Sequence, residues 1–323
     1  MEYNYRNNID IFFINRKDYY DIGITKKSFD NLGLDIKIDN YDLLKKDDII
    51  NFKYHPFMNI KMKDLLLFIN LILPKNLPIY EINLRMNNKN QFIILFRLLE
   101  IKNINLIKDY LYPINDIIGC YYQLWEKEKV VKKYHNDYHI LFEKDNLIEI
   151  VNDFKFIIKP NIFFQVNPYV YPIIYQKLID IIKNLDIDIL YDLCCGCGII
   201  GIINSKNVNK VKGYEINPNN IKVLEENLKL NNINNYEYYL GDINETFNDT
   251  IKENDLIIIN PSRGGLNEKI RNKLKMINRM IYLSCCKKTA KRDIKEMNFK
   301  YEKIKFNQFP NTGHEEILYI LYK

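Results

Sequence analysis

Strand-like and helix-like segments alternate through the second half of the chain, and this alternation constrains the fold more than any other feature. Short apolar runs predict strands at 187–193, 211–215, 236–240, 255–260, 280–284, 301–306 and 316–322. Helical patterns lie at 169–184, 217–231, 268–275 and 288–297, and another helix begins at 199. Strands that alternate with helices favour an α/β fold with a mostly parallel, doubly wound sheet.

The first half lacks this alternation and is predicted to form an α+β unit. Its strand candidates are 9–14, 34–38 and 92–96, and its helix candidates are 63–73 and 105–112. A further pair of strands is expected from 138–142 and 154–158. Because 323 residues suffice for two domains, we predict domains at 1–160 and 161–323.

The charge balance permits a polyanionic partner without requiring one. Lysine and arginine outnumber the acids 47 to 41, which gives a net charge of +6. The polar N-terminus does not resemble a secretory signal, and the most apolar stretch, 65–73, is too short to span a bilayer. We therefore expect a cytoplasmic protein that does not enter a membrane and acts as a monomer.

The six cysteines do not form the pattern of a disulfide framework or of a metal site. Cys194, Cys195 and Cys197 crowd one turn, and Cys285 and Cys286 are adjacent. Adjacent cysteines do not easily bridge, and the C-C-x-C spacing lacks the C-x2-C separation typical of zinc sites. No bound metal is expected.

A glycine turn follows the first strand of the alternating half. The segment that contains Gly196 and Gly198 would let a ligand approach the backbone closely at a helix N-terminus. Glu215 ends the next strand, 19 residues after Gly196, where a carboxylate can accept both ribose hydroxyls. Asp242 follows the third strand. The pattern favours an adenosine-type ligand, although another nucleotide, or acids that cap helices, would fit as well.

A polar loop and a thiol follow the fourth and fifth strands. Asn260-Pro-Ser-Arg263 lies at the edge where such sheets bind ligands, and Cys285 follows the next strand. A carboxylate, Glu316, comes 31 residues later and could serve as a base. The following helix and two lysines at 287–288 are expected to lower the pKa of the Cys285 thiol. Cys286 is a competing thiol.

Taken together, these motifs resemble the RNA uracil-5 methyltransferases that act on tRNA and ribosomal RNA. The match is dense over about 160–323 and loose over the first 120 residues. The matching segments are Phe163-Phe-Gln165-Val-Asn167, Asp192-Leu-Cys-Cys-Gly196-Cys-Gly198, Glu215, Asn260-Pro-Ser-Arg263-Gly-Gly-Leu266, Ser284-Cys285 and His314-Glu-Glu316.

The resemblance implies a class I methyltransferase domain, with a seven-stranded, mostly parallel sheet, preceded by an α+β RNA-binding domain. It implies S-adenosylmethionine as the cofactor and RNA as the partner. The small size of the chain and the expected lack of an N-terminal barrel favour tRNA over ribosomal RNA. The resemblance assigns Cys285 as the nucleophile and Glu316 as the base. The implied cofactor-binding residues are Gln165, Cys194, Gly196, Glu215, Asp242 and Asn260. The implied substrate-binding residues are Phe163, Arg263 and His314.

The chain departs from the family pattern at two motifs. Asn260-Pro-Ser-Arg263 stands where the family usually has Asp-Pro-Pro-Arg, and Ser284-Cys-Cys-Lys287 stands where it usually has Ser-Cys-Asn-Pro. We expect neither the N-terminal oligonucleotide-binding barrel nor the iron–sulfur cluster of some members. Two alternatives stay open: an amino-group methyltransferase that uses Asn260-Pro, and a non-catalytic RNA-binding relative.

Overall fold

The computed structural model describes residues 6, 8–15, 20–25, 49–51, 58–124, 138–310 and 315–323. They divide into two compact units. Unit 1 is drawn from Met1–Glu149, Ile158–Pro168 and Pro310–Gly313, and unit 2 from Ile150–Ile157, Tyr169–Phe309 and His314–Lys323. The predicted boundary at residue 160 stays a prediction. No helix in the described ranges is long and apolar enough to cross a membrane.

Unit 1 is built on a seven-stranded sheet. Its strands are β1 (Asn8–Asn15), β2 (Tyr20–Thr25), β3 (Ile49–Asn51), β4 (Ile79–Met86), β5 (Phe92–Leu98), β6 (Ile117–Leu124) and β7 (His139–Glu143). They lie in the order β3-β2-β1-β4-β5-β6-β7. Only β5 and β6 pair in parallel among these strands.

Two helices contribute to the apolar core of unit 1: α1 (Ile60–Ile72) and α2 (Ile104–Leu111). Side chains of α1 such as Leu66 and Ile69 join those of β4 and β5, such as Ile82 and Phe96, in one buried cluster. Residues at alternate positions of β4 fall on opposite faces, so Ile82 and Leu84 enter the core while Glu81 and Asn83 point away from it.

A tight hairpin joins β8 (Leu147–Val151) to β9 (Phe154–Ile158). Its turn residues, Asn152 and Asp153, both have positive φ, 48° and 69°. Two left-handed residues are what a type I′ turn requires, and Asn and Asp tolerate that conformation best after glycine.

Unit 2 is built on a second seven-stranded sheet. Its strands are β10 (Ile189–Leu193), β11 (Lys210–Glu215), β12 (Tyr236–Leu240), β13 (Leu256–Ile259), β14 (Arg279–Ser284), β15 (Lys300–Phe306) and β16 (Glu316–Tyr322). The order is β12-β11-β10-β13-β14-β16-β15, and β16 alone among them runs antiparallel to both neighbours. The predicted fold class is confirmed.

The helices of unit 2 are α3 (Tyr171–Lys183), α4 (Ile199–Asn204), α5 (Pro218–Leu230), α6 (Ile243–Thr246), α7 (Glu268–Leu274) and α8 (Lys287–Glu296). Ile257 and Ile259 of β13 pack with Ile270 of α7 and Ile294 of α8 in one apolar core. The carboxyl ends of the parallel strands meet at one edge of the sheet, and the loops that leave this edge carry the predicted site.

Most predicted elements are confirmed to within a few residues, including every strand predicted in unit 2. One prediction was wrong: 138–142 and 154–158 are strands but do not pair, because β7 pairs with β6 and β9 with β8. The predicted strand at 34–38 lies outside the described residues. Strands β2, β3, β4, β6 and β8 were not predicted.

Candidate active site

The loop after β10 turns sharply around left-handed residues. Cys194, Gly196 and Gly198 have φ of 63°, 58° and 85°. A Cβ on Gly198 would lie 2.2 Å from Cδ1 of Leu224, so that glycine is required by packing. A Cβ on Gly196 would meet no atom within 4 Å. The backbone at Gly196 therefore faces open space, where a ligand can approach it closely.

The Glu215 carboxylate ties this loop to the end of β11. Its Oε2 accepts a hydrogen bond from the backbone N–H of Gly196 at 2.9 Å, and its Oε1 accepts one from Asn217 at 2.7 Å. The side chain is only 7% exposed. Each oxygen can still accept another hydrogen bond, so the carboxylate remains able to bind a hydroxyl group.

Asp242 serves as a helix cap in this structure. Its Oδ1 accepts a hydrogen bond from the backbone N–H of Asn244 at 2.8 Å, at the start of α6. The residue is exposed, at the same sheet edge as Glu215, whose carbonyl oxygen accepts from Gly241 N–H at 2.9 Å. Capping and ligand binding are compatible, because the second carboxylate oxygen remains available.

A fully buried acid, Asp192, was not among the predicted site residues. Its Oδ2 accepts from the N–H of Gly201 at 3.0 Å and so fixes the first turn of α4. Burial raises the pKa of Asp192 to about 7, with a smaller contribution from the charge of Glu215. Its place in the motif before Cys194 was the signal that could have identified it.

The loop that carries Asn260 and Arg263 is anchored by a second buried acid that the sequence analysis missed. Asp293 of α8 accepts hydrogen bonds from Leu266 N–H at 2.8 Å, Tyr282 Oη at 2.8 Å and Arg292 Nε at 2.9 Å. One carboxylate thereby joins the loop, the strand β14 and the helix α8.

Two further contacts anchor the same loop. The Thr289 hydroxyl lies 3.1 Å from the carbonyl oxygen of Arg263, and Arg292 Nη2 donates to the carbonyl oxygen of Gly264 at 3.0 Å. Gly265 has φ of 73°, and a Cβ there would lie 2.4 Å from Oδ2 of Asp293. Only glycine fits this position without moving the acid.

Strand register brings Cys285 and Glu316 to adjacent positions. Strand β14 pairs antiparallel with β16, and Ser284 lies opposite Ile317. Cys285 directly follows the end of β14, and Glu316 is the first residue of β16, just before Ile317. The two residues therefore lie at adjacent positions at the sheet edge. The Ser284 hydroxyl accepts from Cys286 N–H at 3.0 Å and fixes the turn that follows.

The expectation of a lowered pKa for Cys285 was wrong. Burial raises the pKa of the Cys285 thiol, and the charge of Glu316 adds to the increase. Arg263 opposes both by its charge and by a hydrogen bond to the thiol. Lys287 is exposed and lies 4.0 Å from Glu315 rather than beside the thiol. Cys286, the N-cap residue of α8, is the cysteine whose pKa is lowered, chiefly by hydrogen bonds from Thr289.

Glu316 is a buried carboxyl group at the start of β16. Its side chain is 2% exposed, and burial raises its pKa to about 8. At neutral pH the group is therefore mostly protonated, and it is poised to exchange a proton just above neutrality.

The remaining predicted site residues are Phe163, Gln165 and His314. Phe163 and Gln165 belong to unit 1, where Phe163 is 63% exposed and Gln165 is buried. His314 lies outside the described residues. Within the described ranges no group of three or more His, Cys, Asp or Glu side chains is arranged to hold a metal ion.

Relatives of the chain are RNA methyltransferases. An uncharacterised RNA methyltransferase from Clostridium tetani is 28% identical over 341 residues, which cover 98% of this chain and 71% of that protein. Another, from Clostridium acetobutylicum, is 31% identical over 189 residues, which cover 57% of this chain but only 41% of the relative.

A solved structure shares the fold. The tRNA (uracil-54, C5)-methyltransferase of Pyrococcus abyssi, solved with S-adenosyl-L-homocysteine, superposes with a TM-score of 0.75 at 22% identity, over 99% of this chain and 76% of that one. The model of the tRNA (uracil-5-)-methyltransferase family matches residues 128–323, which is more than half of the chain. The chain therefore belongs to this family of RNA methyltransferases.

Proposed function

We propose that this protein transfers a methyl group from S-adenosylmethionine to C5 of a uridine in RNA, through a covalent bond between Cys285 and C6 of the base. The observation that carries the proposal is the neighbourhood of Cys285, Arg263 and Glu316 at the sheet edge that also holds the cofactor loop. A thiol, a guanidinium and a buried carboxyl group are the nucleophile, anion stabiliser and base that this reaction needs.

The residues present fit the cofactor. The open space above Gly196 suits a ligand that contacts backbone, and Glu215 offers acceptor oxygens beside it. The cofactor supplies a methyl group on a positively charged sulfur, which an electron-rich carbon can take.

Uracil C5 is too weak a carbon nucleophile to react unaided. Cys285 first loses its thiol proton to solvent. The Sγ thiolate then adds to C6, and the electron pair of the C5–C6 double bond moves toward O4 as an enolate. Arg263 is placed to stabilise that negative charge. C5 would then bond to the methyl carbon as the bond from that carbon to the cofactor sulfur breaks, which would release S-adenosylhomocysteine. Glu316 removes the remaining C5 proton, the double bond re-forms, and the bond between Sγ and C6 breaks.

The raised pKa of Glu316 suits this role. A carboxylate with a pKa of about 8 is a stronger base than an ordinary glutamate, so it can take a proton from carbon more readily. Arg263 compensates in part for the burial of Cys285, because its charge and hydrogen bond favour the thiolate.

A tRNA uridine, in the T-loop, is the proposed target in preference to a ribosomal one. The family description names tRNA, and the Pyrococcus abyssi protein acts at uracil-54. A base in a loop is less costly to unstack into a pocket than a base in a duplex, a difference of a few kcal/mol.

The test uses methyl-labelled S-adenosylmethionine with unmodified tRNA and unmodified ribosomal RNA, followed by digestion to nucleosides. We expect label in 5-methyluridine from tRNA. Cys285→Ala should abolish transfer while the cofactor still binds, Glu316→Gln should accumulate a covalent RNA adduct, and the matched control Cys286→Ala should remain active.

Other outcomes would overturn the proposal. A fully active Cys285→Ala protein would refute the covalent route. Label in a methylated amino nucleoside would favour chemistry at Asn260-Pro, and RNA binding without any transfer would favour a non-catalytic relative.

A further inference from the structure

The solvent-facing side of α8 carries a stripe of lysines. Lys288, Lys291 and Lys295 are exposed, and their spacing of three and four residues places them on one side of the helix. Ala290, Asp293 and Ile294 form the buried side. The stripe extends for about 10 Å, because each helical residue rises 1.5 Å.

These three lysines have no acidic partner within the described ranges. The acids of α8 are engaged elsewhere: Asp293 is buried against Arg292, and Glu296 binds Arg271 at 2.8 Å. No acid among the residues that the structure describes therefore pairs with the positive charge of the stripe.

Lysines of the edge strand β15 extend the same positive surface. Lys303 and Lys305 are exposed there, and Lys305 binds Glu315 at 2.6 Å. Lys287, at the first turn of α8, lies 4.0 Å from the same acid. Lys305, Lys287 and Lys303 all lower the pKa of Glu315, so cations from both elements converge on one exposed carboxylate.

We call this set the lysine surface: Lys287, Lys288, Lys291, Lys295, Lys303 and Lys305. It adjoins the proposed reaction centre, since Cys285 lies two residues before α8 and Glu316 follows Glu315 in the chain. Lys287 stands where the family motif usually has proline. The departure from the motif therefore adds a positive charge to the exposed first turn of α8, 4.0 Å from Glu315.

We infer that the lysine surface binds backbone phosphates of the RNA strand next to the target nucleotide. The inference rests on the proposed function, because it takes RNA as the substrate. Lysines at a spacing of about 5 Å suit successive phosphates of an extended strand, and such contacts position a nucleic acid without reading its sequence. The surface would hold the strand while the target base enters the pocket.

The test measures the affinity of the whole protein for a labelled, unmodified tRNA transcript between 50 and 200 mM salt. The variant replaces the stripe: Lys288→Gln, Lys291→Gln and Lys295→Gln. Loss of three phosphate contacts should reduce the slope of log affinity against log salt by about 2, so that over this range the wild type loses about twentyfold more affinity than the variant.

Two control variants test whether the effect comes from the position of the lysines rather than from the total charge of the protein or from misfolding. Lys177→Gln, Lys183→Gln and Lys222→Gln together remove the same charge from exposed positions of α3 and α5, and should leave the slope unchanged. Replacing the stripe by arginine should retain the wild-type slope. All variants should bind S-adenosylmethionine normally, which shows that unit 2 is folded.

An unchanged slope in the stripe variant would overturn the inference, and so would an equal reduction in the control variant. Loss of binding to phosphatidylserine vesicles, with tRNA binding unaffected, would also overturn it and indicate a membrane partner. The assay for 5-methyluridine tests the proposed reaction independently of the binding measurement. A reduced slope without any methylated product would refute the proposed reaction and leave the RNA surface standing.

Discussion

Replacing Glu316 by glutamine should stabilise the protein, and the gain should depend on pH. The carboxyl group is 2% exposed, and burial raises its pKa from 4.5 to about 8. In the unfolded chain a glutamate regains an ordinary pKa. Between these two values the folded state binds more protons than the unfolded state, so the free energy of unfolding falls as the pH rises from about 4.5 to about 8.

The size of this loss follows from the two pKa values. It is below about 1 kcal/mol at pH 5, about 3 kcal/mol at pH 7, and levels off near about 5 kcal/mol above pH 8. Glutamine has nearly the same shape and no proton to lose. The variant should therefore exceed the wild type in stability by about these amounts at each pH.

The assay is urea unfolding of both proteins at pH 5, 7 and 9, with the transition of unit 2 followed separately if the two units unfold in steps. Glu315→Gln is the matched control, one residue away. Glu315 is exposed, and its pKa is lowered chiefly by Lys305, so its contribution is favourable above the unfolded pKa and is lost as the pH falls. Its replacement should give no gain at high pH.

A difference between Glu316→Gln and wild type that stays constant from pH 5 to 9 would refute the argument. It would mean that the carboxyl group does not change its protonation on folding. A glutamine variant that is less stable than the wild type at pH 9 would show instead that the ionised carboxylate is well solvated or paired in the folded protein.

Other predictions concern rate and packing. The rate of methylation should rise with pH from 6 to 9, because a base with a pKa of about 8 is only about one-tenth ionised at pH 7 and the pKa of Cys285 is also raised; a flat profile over this range would contradict this. Tyr282→Phe removes a hydrogen bond to a buried carboxylate and should lower the free energy of unfolding by about 1.5–3 kcal/mol in urea. Gly265→Ala should lower it by about 1–3 kcal/mol, because the new Cβ collides with Asp293. Gly196→Ala should lower the free energy of unfolding by about 1–2 kcal/mol, because an alanine is strained at the positive φ of this position. The new methyl group would occupy the open space that the cofactor needs, so calorimetry should also show weaker binding of S-adenosylmethionine.

The central strands of unit 2 could be predicted because a strand that is buried on both faces has a continuous run of apolar residues. Leu256–Ile259 is wholly apolar, as a central parallel strand requires. Strand β4 was missed because Glu81, Asn83 and Arg85 alternate with its apolar residues, and such side chains are uncommon in strands. The wrong pairing of 138–142 had a local cause: the Asn152-Asp153 turn pairs β9 with β8 instead.

At the site, the motifs pointed to Cys285 and Glu316, which lie at adjacent positions, but not to the direction in which the pKa of Cys285 is shifted. The pKa of Cys285 depends on how deeply tertiary packing buries the thiol, and nearby lysines in the sequence gave the opposite sign. The role of Asp293 could not be predicted either, because its hydrogen-bond partners in a loop and a strand come close to it only in the folded protein. One signal was available: an acid among Ala290, Ile294 and Met297 lies on the buried face of an amphipathic helix.

The buried acids of unit 2 differ in the hydrogen bonds that their carboxyl groups accept, and this difference distinguishes acids with a structural role from an acid with a chemical role. Asp293 accepts hydrogen bonds from a loop, a strand and its own helix, so its charge stabilises the loop that carries Arg263. Asp192 accepts one from Gly201. Glu316 differs from both, because burial is the cause of its raised pKa. A carboxyl group buried at a cost in stability is explained if its partner is the substrate, and removing that cost with glutamine should remove the base as well.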